Sequence, residues 1–244
     1  MKVLLNGAEG RMGQTLIRLA PKHGVEFSPC LDVGDALPSS LKGIAGVIDF
    51  SHHTATAPLA DLCAQSGVPL LVGTTGHSAA ERTRIEVASQ ICPVLWSGNY
   101  SVGVNLLFWL TRRAAEILDA SYEAEVLEMH HRHKKDAPSG TAENLVEAIR
   151  EARSLSAEVV RHGREGITGA RPDDEIGVHA VRGGEIVGEH TVFFISPQDR
   201  VELTHRASDR AIFAAGALRG IRWLADKAPG IYRMEDVLGL SGKR

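Results

Sequence analysis

The densest group of ionisable side chains lies between His130 and Asp136, directly ahead of the segment Pro138–Thr141. Every residue from His130 to Asp136 has a side chain that can carry charge at accessible pH, so this stretch offers proton donors and a positive field. The sequence Pro-Ser-Gly-Thr then opens a predicted amphipathic helix, whose first backbone N–H groups can bind an anion. The combination favours an enzyme that acts on an anionic substrate.

A metal site and a solvated basic loop or RNA-binding patch are the alternatives for the same stretch. His131 and His133 would share a face of an extended chain, as a pair of metal ligands can. However, Arg132, Lys134 and Lys135 would repel a divalent cation, and we expect no metal. No aromatic residues alternate with the basic ones, as they do on many surfaces that bind single-stranded RNA.

The composition sets broad limits. A net charge of −3 over 244 residues gives no global reason to expect a nucleic acid or an acidic membrane as partner. No apolar run is long enough to span a bilayer, and we expect no signal peptide. The three cysteines are widely spaced, which fits neither a disulfide framework nor a CxxC metal site. We therefore expect a cytoplasmic protein.

The first hundred residues alternate short apolar runs with helical patterns, which is typical of βα units on a parallel sheet. This order predicts an N-terminal Rossmann-type, doubly wound parallel sheet in an α/β protein. The predicted strands are 3–5, 25–31, 46–50, 68–72 and 93–96, and the predicted helices are 12–22, 55–66 and 78–89.

The pattern changes after Ser101 and predicts an α+β domain with a mixed sheet over residues 102–209. Residues 1–101 and 210–244 would form the dinucleotide-binding domain, with helix 210–225 packing back on it. Residues 162–175 are rich in Gly, Arg and Asp and are expected to form a mobile loop. The further predicted strands are 124–129, 176–182, 188–195 and 200–206, and the helices are 103–118 and 141–153.

A glycine turn, GAEGRMG over residues 7–13, lies between the first strand and the first helix. Glycines let a pyrophosphate approach the backbone, and the helix start supplies N–H donors. Asp32 follows the second strand, where a carboxylate can bind the adenosine ribose diol and would repel a 2′-phosphate. Val33 offers no compensating cation, so NADH is favoured and NADPH is the second choice. The residues assigned to the cofactor here are Gly7, Ala8, Glu9, Gly10, Arg11, Met12 and Asp32.

Two more turns follow strands on the same predicted edge of the sheet, where open parallel sheets bind ligands. A simple structural turn is the alternative for each of them. We expect the first to line the nicotinamide ribose and Asn99 and Tyr100 of the second to face the nicotinamide. The candidate residues are Gly73, Thr74 and Thr75 in the first turn, and Ser97, Gly98, Asn99 and Tyr100 in the second.

With these motifs assembled, the chain resembles the 4-hydroxy-tetrahydrodipicolinate reductase (dihydrodipicolinate reductase) family over essentially its whole length. The resemblance is most specific at Glu128–Ala142, which is similar to the family signature E-x-H-H-x-x-K-x-D-x-P-S-G-T-A. Further similar segments are Gly7–Gly13, Gly73–Thr75, Asn99–Asn105, Arg182–Gly184, Gly188–Thr191 and Leu203–Ala207.

The resemblance implies NAD(P)H-dependent reduction of a cyclic dicarboxylate in the diaminopimelate route to lysine. Hydride would reach C4, the 4-hydroxyl would leave as water, and C3 would be protonated. It further implies that residues 102–209 bind substrate and assemble a homotetramer. By this resemblance His130 has an acid–base role and Lys134 is the proton donor, while the residues that contact the dicarboxylate are His131, Gly140 and Thr141.

The chain departs from the family pattern in a few places. One βα unit is abbreviated between Asp32 and Gly43, and Ser97-Gly98 replaces a commoner small apolar pair. Asp32 stands where Glu is frequent, and Val33 where Arg often follows, which puts NADPH use in doubt. Two other functions stay open: an amino-acid dehydrogenase with a similar two-domain plan, and a protein that senses NAD(H) without catalysis.

Overall fold

The computed structural model describes residues 1–242. Its contacts divide the chain into two compact units, residues 1–102 with the chain from Ala211 onward, and residues 103–210. The strands are β1 Lys2–Asn6, β2 Glu26–Leu31, β3 Gly46–Asp49, β4 Leu70–Val72, β5 Pro93–Trp96, β6 Glu123–His130, β7 Val160–His162, β8 Ile176–Arg182, β9 Gly188–Ile195, β10 Arg200–Ala207 and β11 Gly230–Tyr232.

Apart from the short helix α7, the α-helices of residues 1–242 lie within two or three residues of the predicted positions. Two short 3₁₀ helices, Ala20–His23 and Ala157–Val159, accompany them. The α-helices are α1 Arg11–Leu19, α2 His53–Ser66, α3 Ala79–Ser89, α4 Val102–Ile117, α5 Gly140–Arg153, α6 Ala211–Leu224 and α7 Met234–Val237.

The first unit contains a six-stranded sheet in the order β11-β5-β4-β3-β1-β2, in which all paired strands are parallel. Successive strand residues point to opposite faces, and both faces are apolar. Leu5, Ile48 and Leu71 pack on the side of α1 and α6, whereas Leu4 and Val47 pack on the side of α2 and α3. The predicted doubly wound Rossmann-type sheet is confirmed.

The second unit contains a mixed five-stranded sheet in the order β10-β9-β6-β8-β7. β9 runs antiparallel to β6 and β10, whereas β8 runs parallel to β6 and β7. One face packs Val126, Val192 and Phe194 against α4 and α5. Side chains of the opposite face, such as Leu127 and Phe193, are only half-buried. The predicted α+β unit with a mixed sheet is confirmed.

The structure differs from the sequence predictions mainly at short elements. The first helix ends at Leu19 instead of residue 22, because Pro21 lies in the 3₁₀ turn that follows. The strands β7 and β11 and helix α7 were not predicted, because they lack the runs of three apolar residues that marked the equally short β4 and β5. Within residues 1–242 no helix is both long enough and apolar enough to cross a membrane.

The segment predicted to be a mobile loop has irregular backbone but fixed arginines. Arg164 donates to Glu125 Oε1 over 2.6 Å, and Arg171 Nε donates to the same oxygen over 3.1 Å. A second arginine nitrogen of Arg171 reaches the carbonyl oxygen of Ala124 at 3.1 Å. The loop is therefore tied to β6 at two places.

Candidate active site

The glycine turn after β1 has the conformation that the sequence predicts. Gly7 has φ +88°, which favours glycine, and its N–H donates to Leu31 O over 2.9 Å. A Cβ on Gly13 would lie 2.2 Å from Gly7 O, so only glycine lets α1 pack this closely on the turn. Gly10 caps α1 without a side-chain hydrogen bond, and a Cβ there would meet only Gly7 O, at 3.4 Å. This helix start fits the phosphate groups of a dinucleotide.

Asp32 lies beside this turn at the end of β2. Its carboxylate accepts the N–H of Val33 over 2.8 Å and that of Glu9 over 2.6 Å. These two backbone hydrogen bonds lower the pKa of Asp32. The carboxylate is therefore ionised at neutral pH and fixed to the glycine turn, as a partner for a ribose diol would be.

The turn after β4 owes its glycine to packing. A Cβ on Gly73 would lie 2.1 Å from the Phe50 ring, so only glycine fits against that ring. Thr74 is buried, and its hydroxyl accepts the N–H of Ser51 over 3.0 Å and donates to Asp49 Oδ2 over 3.0 Å. Thr75 is exposed. Of the two threonines, only Thr75 has a side chain free to line a ligand.

Asp49, at the end of β3, is a fully buried carboxylate that the sequence analysis missed. All its side-chain donors are neutral groups, and together they join three loops at this edge of the sheet to α2. They are Asn6 Nδ2 at 2.9 Å, Ser51 Oγ at 2.5 Å, Thr56 Oγ1 at 2.6 Å and Thr74 Oγ1 at 3.0 Å. Thr74 and the residue before Gly7 are thus held by the same group.

In the turn after β5, the Tyr100 side chain does not lie where the sequence analysis expected it. Tyr100 is 2% exposed, and its hydroxyl lies 2.7 Å from Val72 O and 3.0 Å from Leu95 O. Burial raises the pKa of this phenol. Its ring fills the core of the first unit, so the side chain does not face a nicotinamide, and only its backbone remains for the cofactor. Asn99 Oδ1 accepts the N–H of Ser101, and a Cβ on Gly98 would meet nothing within 4 Å.

In the second unit, the buried carboxylate of Glu128 binds the imidazole of His130, the predicted catalytic residue. Glu128 Oε2 lies 2.6 Å from His130 Nδ1, and the Arg182 guanidinium donates to both oxygens, over 2.8 and 2.7 Å. Burial works to raise the pKa of Glu128, but the hydrogen bonds from Arg182 and His130 hold it below its usual value. For His130 burial dominates and lowers the pKa, despite Glu128. The His130 imidazole is therefore neutral at pH 7.

Lys134 follows β6, and its charge is close enough to His130 to contribute to the lowered pKa of that imidazole. Its Nζ donates to both oxygens of Asp136, over 2.9 and 2.8 Å. The backbone carbonyl of Asp136 accepts from Arg182 over 2.7 Å, so the same arginine supports the Lys134 pair and Glu128. Asp136 and Arg182 were not among the predicted site residues.

The residues expected to contact a dicarboxylate lie on two segments. His131 Nε2 is 3.1 Å from Arg210 Nη2, while its Nδ1 is buried and has no hydrogen-bond partner. Gly140 and Thr141 begin α5, whose N-cap Ser139 accepts the N–H of Ala142 over 3.2 Å. A Cβ on Gly140 would meet nothing within 4 Å, so space is open at this helix start.

Two further histidines of the second unit have different environments. His190 on β9 is buried, its Nε2 lies 3.0 Å from Ser139 Oγ, and its ring centroid is 5.2 Å from that of His130. Burial lowers the pKa of His190 to about 4. His133, in contrast, is exposed at the surface near Glu185. Within residues 1–242 no group of three or more His, Cys, Asp or Glu residues is arranged to hold a metal.

Both units match the same family. Residues 1–100 match the family model described as dihydrodipicolinate reductase, N-terminus, and residues 103–238 match dihydrodipicolinate reductase, C-terminus. The chain belongs to the dihydrodipicolinate reductase family. Membership makes the protein an oxidoreductase, and with the Rossmann-type unit it implies a nicotinamide cofactor.

Relatives in this family align over nearly the whole chain. The 4-hydroxy-tetrahydrodipicolinate reductase of Akkermansia muciniphila is 49% identical, with 99% of each chain covered. That of Anaeromyxobacter dehalogenans is 43% identical, with 99% of this chain and 98% of the relative covered. A dipicolinate-bound dihydrodipicolinate reductase from Paenisporosarcina sp. TG-14 has the same fold, with a TM-score of 0.78 at 23% identity over 96% of this chain and 97% of that one.

Arg182 and Arg210 are the site residues that a sequence signal could have added. Arg182 lies in the Arg-Gly-Gly segment that already contributes to the family resemblance, and Arg210 directly precedes α6. Each is separated from its partner by a long stretch of chain, 54 residues for Arg182 and Glu128, and 79 for Arg210 and His131. Only the folded sheet brings these pairs together.

Proposed function

We propose that this protein reduces 4-hydroxy-tetrahydrodipicolinate to tetrahydrodipicolinate with NAD(P)H, in the diaminopimelate route to lysine in the cytoplasm. The observation that carries the proposal is the arrangement in the second unit. A neutral imidazole, a lysine paired with Asp136 and an open helix start lie on consecutive segments around Glu128 and Arg182. Family membership supplies the substrate class through the names of the relatives.

The substrate dicarboxylate would bind through donors in the second unit. One carboxylate would bind at the start of α5, beside Gly140 and Thr141, where the α5 dipole favours negative charge. His131 has an unpartnered Nδ1, which supplies a further donor when it carries the proton. The Arg210 guanidinium beside His131 adds positive charge.

The proton steps would be divided between Lys134 and His130. The neutral imidazole of His130 can accept a proton from C3 and pass it to the departing 4-hydroxyl, which leaves as water. When bound, the nicotinamide supplies the hydride that is added at C4. Negative charge then develops toward C3, where the ammonium of Lys134 donates a proton. Overall, a C–O bond is replaced by a C–H bond and one water is released.

The cofactor would be held by the first unit. The helix start at Gly10, Arg11 and Met12 would bind the pyrophosphate, and Gly7, Ala8 and Glu9 would approach it through their backbone. Asp32 would bind the adenosine ribose, which supports a preference for NADH. Gly73, Thr75, Ser97, Gly98 and Asn99, with the backbone of Thr74 and Tyr100, would line the nicotinamide end.

A homotetramer built through the second unit is also proposed. The sheet face opposite α4 and α5 has half-buried apolar side chains, among them Leu127 and Phe193. Such a face is suited to pairing with a further copy. Light scattering of the purified protein would give the assembly state.

The decisive assay follows oxidation of NADH and NADPH with substrate made in situ from pyruvate and aspartate semialdehyde. We expect turnover with both cofactors and a higher kcat/KM with NADH, and no turnover with free amino acids. Reduction of NAD⁺ or NADP⁺ by a free amino acid would instead identify an amino-acid dehydrogenase. No oxidation at any pH, with NADH binding intact, would identify a protein that senses the cofactor.

A further inference from the structure

Glu128 is the point at which three separate segments of the second unit meet. Besides His130 Nδ1 on its own strand, the carboxylate binds Arg182 of β8 and accepts the backbone N–H of Ser139 over 3.1 Å. The side chain has no solvent exposure. Because the carboxylate is fully excluded from solvent, bulk water does not compete with these partners.

The bond between Glu128 and His130 determines which imidazole nitrogen carries the proton. An ionised carboxylate can only accept, so Nδ1 of the neutral ring must be the donor, and the lone pair is then on Nε2. A Cβ built on Gly188 would lie 3.0 Å from Nε2, so the glycine at the start of β9 lies directly against this nitrogen. A side chain at position 188 would therefore crowd the nitrogen that carries the lone pair.

The second oxygen of Glu128 fixes the anion-binding helix start. Ser139 donates its N–H to Oε1, and its Oγ lies between the Ala142 N–H and His190 Nε2. One carboxylate therefore holds both His130 and the residue that caps α5. A displacement of Glu128 would move the proton acceptor and the carboxylate-binding segment together.

We propose that Glu128 is the positioning residue of this site, fixing the Nδ1–H form of His130 and holding Ser139 at the start of α5. Glu128 touches neither substrate nor cofactor and acts through these two residues. The expected effect of Glu128 on turnover rests on the proposed reductase function, whereas the protonation form of the His130 ring does not depend on it. The proposed function and this inference can therefore fail separately.

The first test is the protonation form of His130 in the unmodified protein. ¹⁵N NMR of histidine-labelled protein at neutral pH distinguishes the two neutral forms, and the signal that disappears in His130→Gln identifies the residue. We expect Nδ1–H. A ring protonated at Nε2 alone would overturn the proposal, whether or not the protein shows reductase activity.

The second test is Glu128→Gln, with Glu125→Gln as the matched control. Glu125 lies on the opposite face of the same strand and also binds arginines and a histidine, but it does not contact His130. An amide cannot accept from Arg182, His130 and Ser139 at both of its terminal atoms. We expect kcat to fall about 10²-fold or more in Glu128→Gln and by less than about threefold in Glu125→Gln.

The pH profile separates positioning from mere support of the fold. The charged or titratable groups around His130 are Glu128, Lys134, Arg182 and His190. Removing the only anion among them must lower the pKa of His130 further, so the acid limb of kcat/KM should move to lower pH in Glu128→Gln. An unmoved limb with an unchanged ring form would overturn the proposal.

If Glu128→Gln does not fold, the protonation form of His130 in the unmodified protein, measured by NMR, still supports or overturns the proposal. In the folded variant, NADH affinity should stay within about twofold, since the glycine turn and Asp32 belong to the first unit. If the unmodified protein shows no reductase activity but Nδ1–H is observed, the proposed function fails while the structural inference stands.

Discussion

Two buried carboxylates, Asp49 in the first unit and Glu128 in the second, are both fully excluded from solvent but have different partners. Asp49 is bound by amide and hydroxyl groups, whereas Glu128 is bound by a guanidinium, an imidazole and a backbone N–H. Neutral dipoles can fix neighbouring turns without coupling them to a proton. A titratable partner connects the buried charge to proton transfer, so only Glu128 can influence the pH dependence of catalysis.

The largest expected effect comes from removing Lys134, the proposed proton donor of the second unit. Lys134→Ala should lower turnover about 10²- to 10⁴-fold, since proton transfer by a positioned group contributes about that much. The dissociation constant of NADH, measured by fluorescence titration, should hardly change. The control is Lys135→Ala, because Lys135 is exposed and adjacent. Near-normal turnover in Lys134→Ala would refute its role.

The second-largest expected effect is a loss of stability when the ion pair between Arg182 and Glu128 is broken. Arg182→Met removes the permanent cation from Glu128 and should reduce the free energy of unfolding by about 3–5 kcal/mol, the usual effect of breaking a buried ion pair. Urea unfolding measures this loss. Arg206→Met is the control, because Arg206 pairs with Glu189 at the surface and should change stability by at most about 1 kcal/mol. Equal losses in the two variants would remove the distinction between these pairs.

The third prediction concerns the loss of stability at acidic pH. Burial holds the pKa of His190 at about 4, below the value near 6.5 of an exposed histidine. Between these values the unfolded chain binds the proton and the folded chain does not, so stability is lost as pH falls below about 6.5. From pH 7 to pH 5 this site should cost about 2 kcal/mol.

The matched variant is His190→Gln, which does not titrate and retains an amide near Ser139. Its urea midpoint should depend less on pH over this range than that of the unmodified protein. An identical pH dependence would mean that folding leaves the pKa of His190 unchanged.

The smallest expected effect is at Asp49, whose hydrogen-bond donors are all neutral groups. In Asp49→Asn the amide can still accept from Asn6, and the threonine hydroxyls can rotate to accept from its NH₂ group. We expect a loss of about 1 kcal/mol in the free energy of unfolding and no movement of the acid limb of kcat/KM. A shifted limb would show that Asp49, too, is coupled to proton transfer, and the contrast with Glu128 would not hold.

The sequence predicts the regular parts of the fold well because their signals are local. Short apolar runs predict the strands of the first sheet, and the glycines of residues 7–13 predict a turn that needs φ +88° at Gly7. Tyr100 shows where local reasoning stops. An aromatic residue after a strand can line a site or fill a core, and the sequence alone does not show that Val72 and Leu95 supply acceptors for its hydroxyl.

The missed site residues share a different cause. Asp49 looks like an ordinary strand-ending residue until Asn6, Thr56 and Thr74 converge on it. The loop over residues 162–175 was expected to be mobile from its composition, and its arginines are 39 and 46 residues away from Glu125 in sequence, so these ion pairs were not foreseen. Pairings of this kind depend on the order and register of strands, which periodicity does not encode.

The return of α6 to the first unit has a consequence for synthesis on the ribosome. Ala217, Leu218 and Ile221 belong to the same core as Leu5 of β1, which is made some two hundred residues earlier. The second unit, residues 103–210, is contiguous and can complete its core as soon as it leaves the exit tunnel. The cofactor-binding unit must wait, incomplete, for the last part of the chain. Nascent chains stalled before Ala211 should therefore expose apolar surface that chaperones recognise.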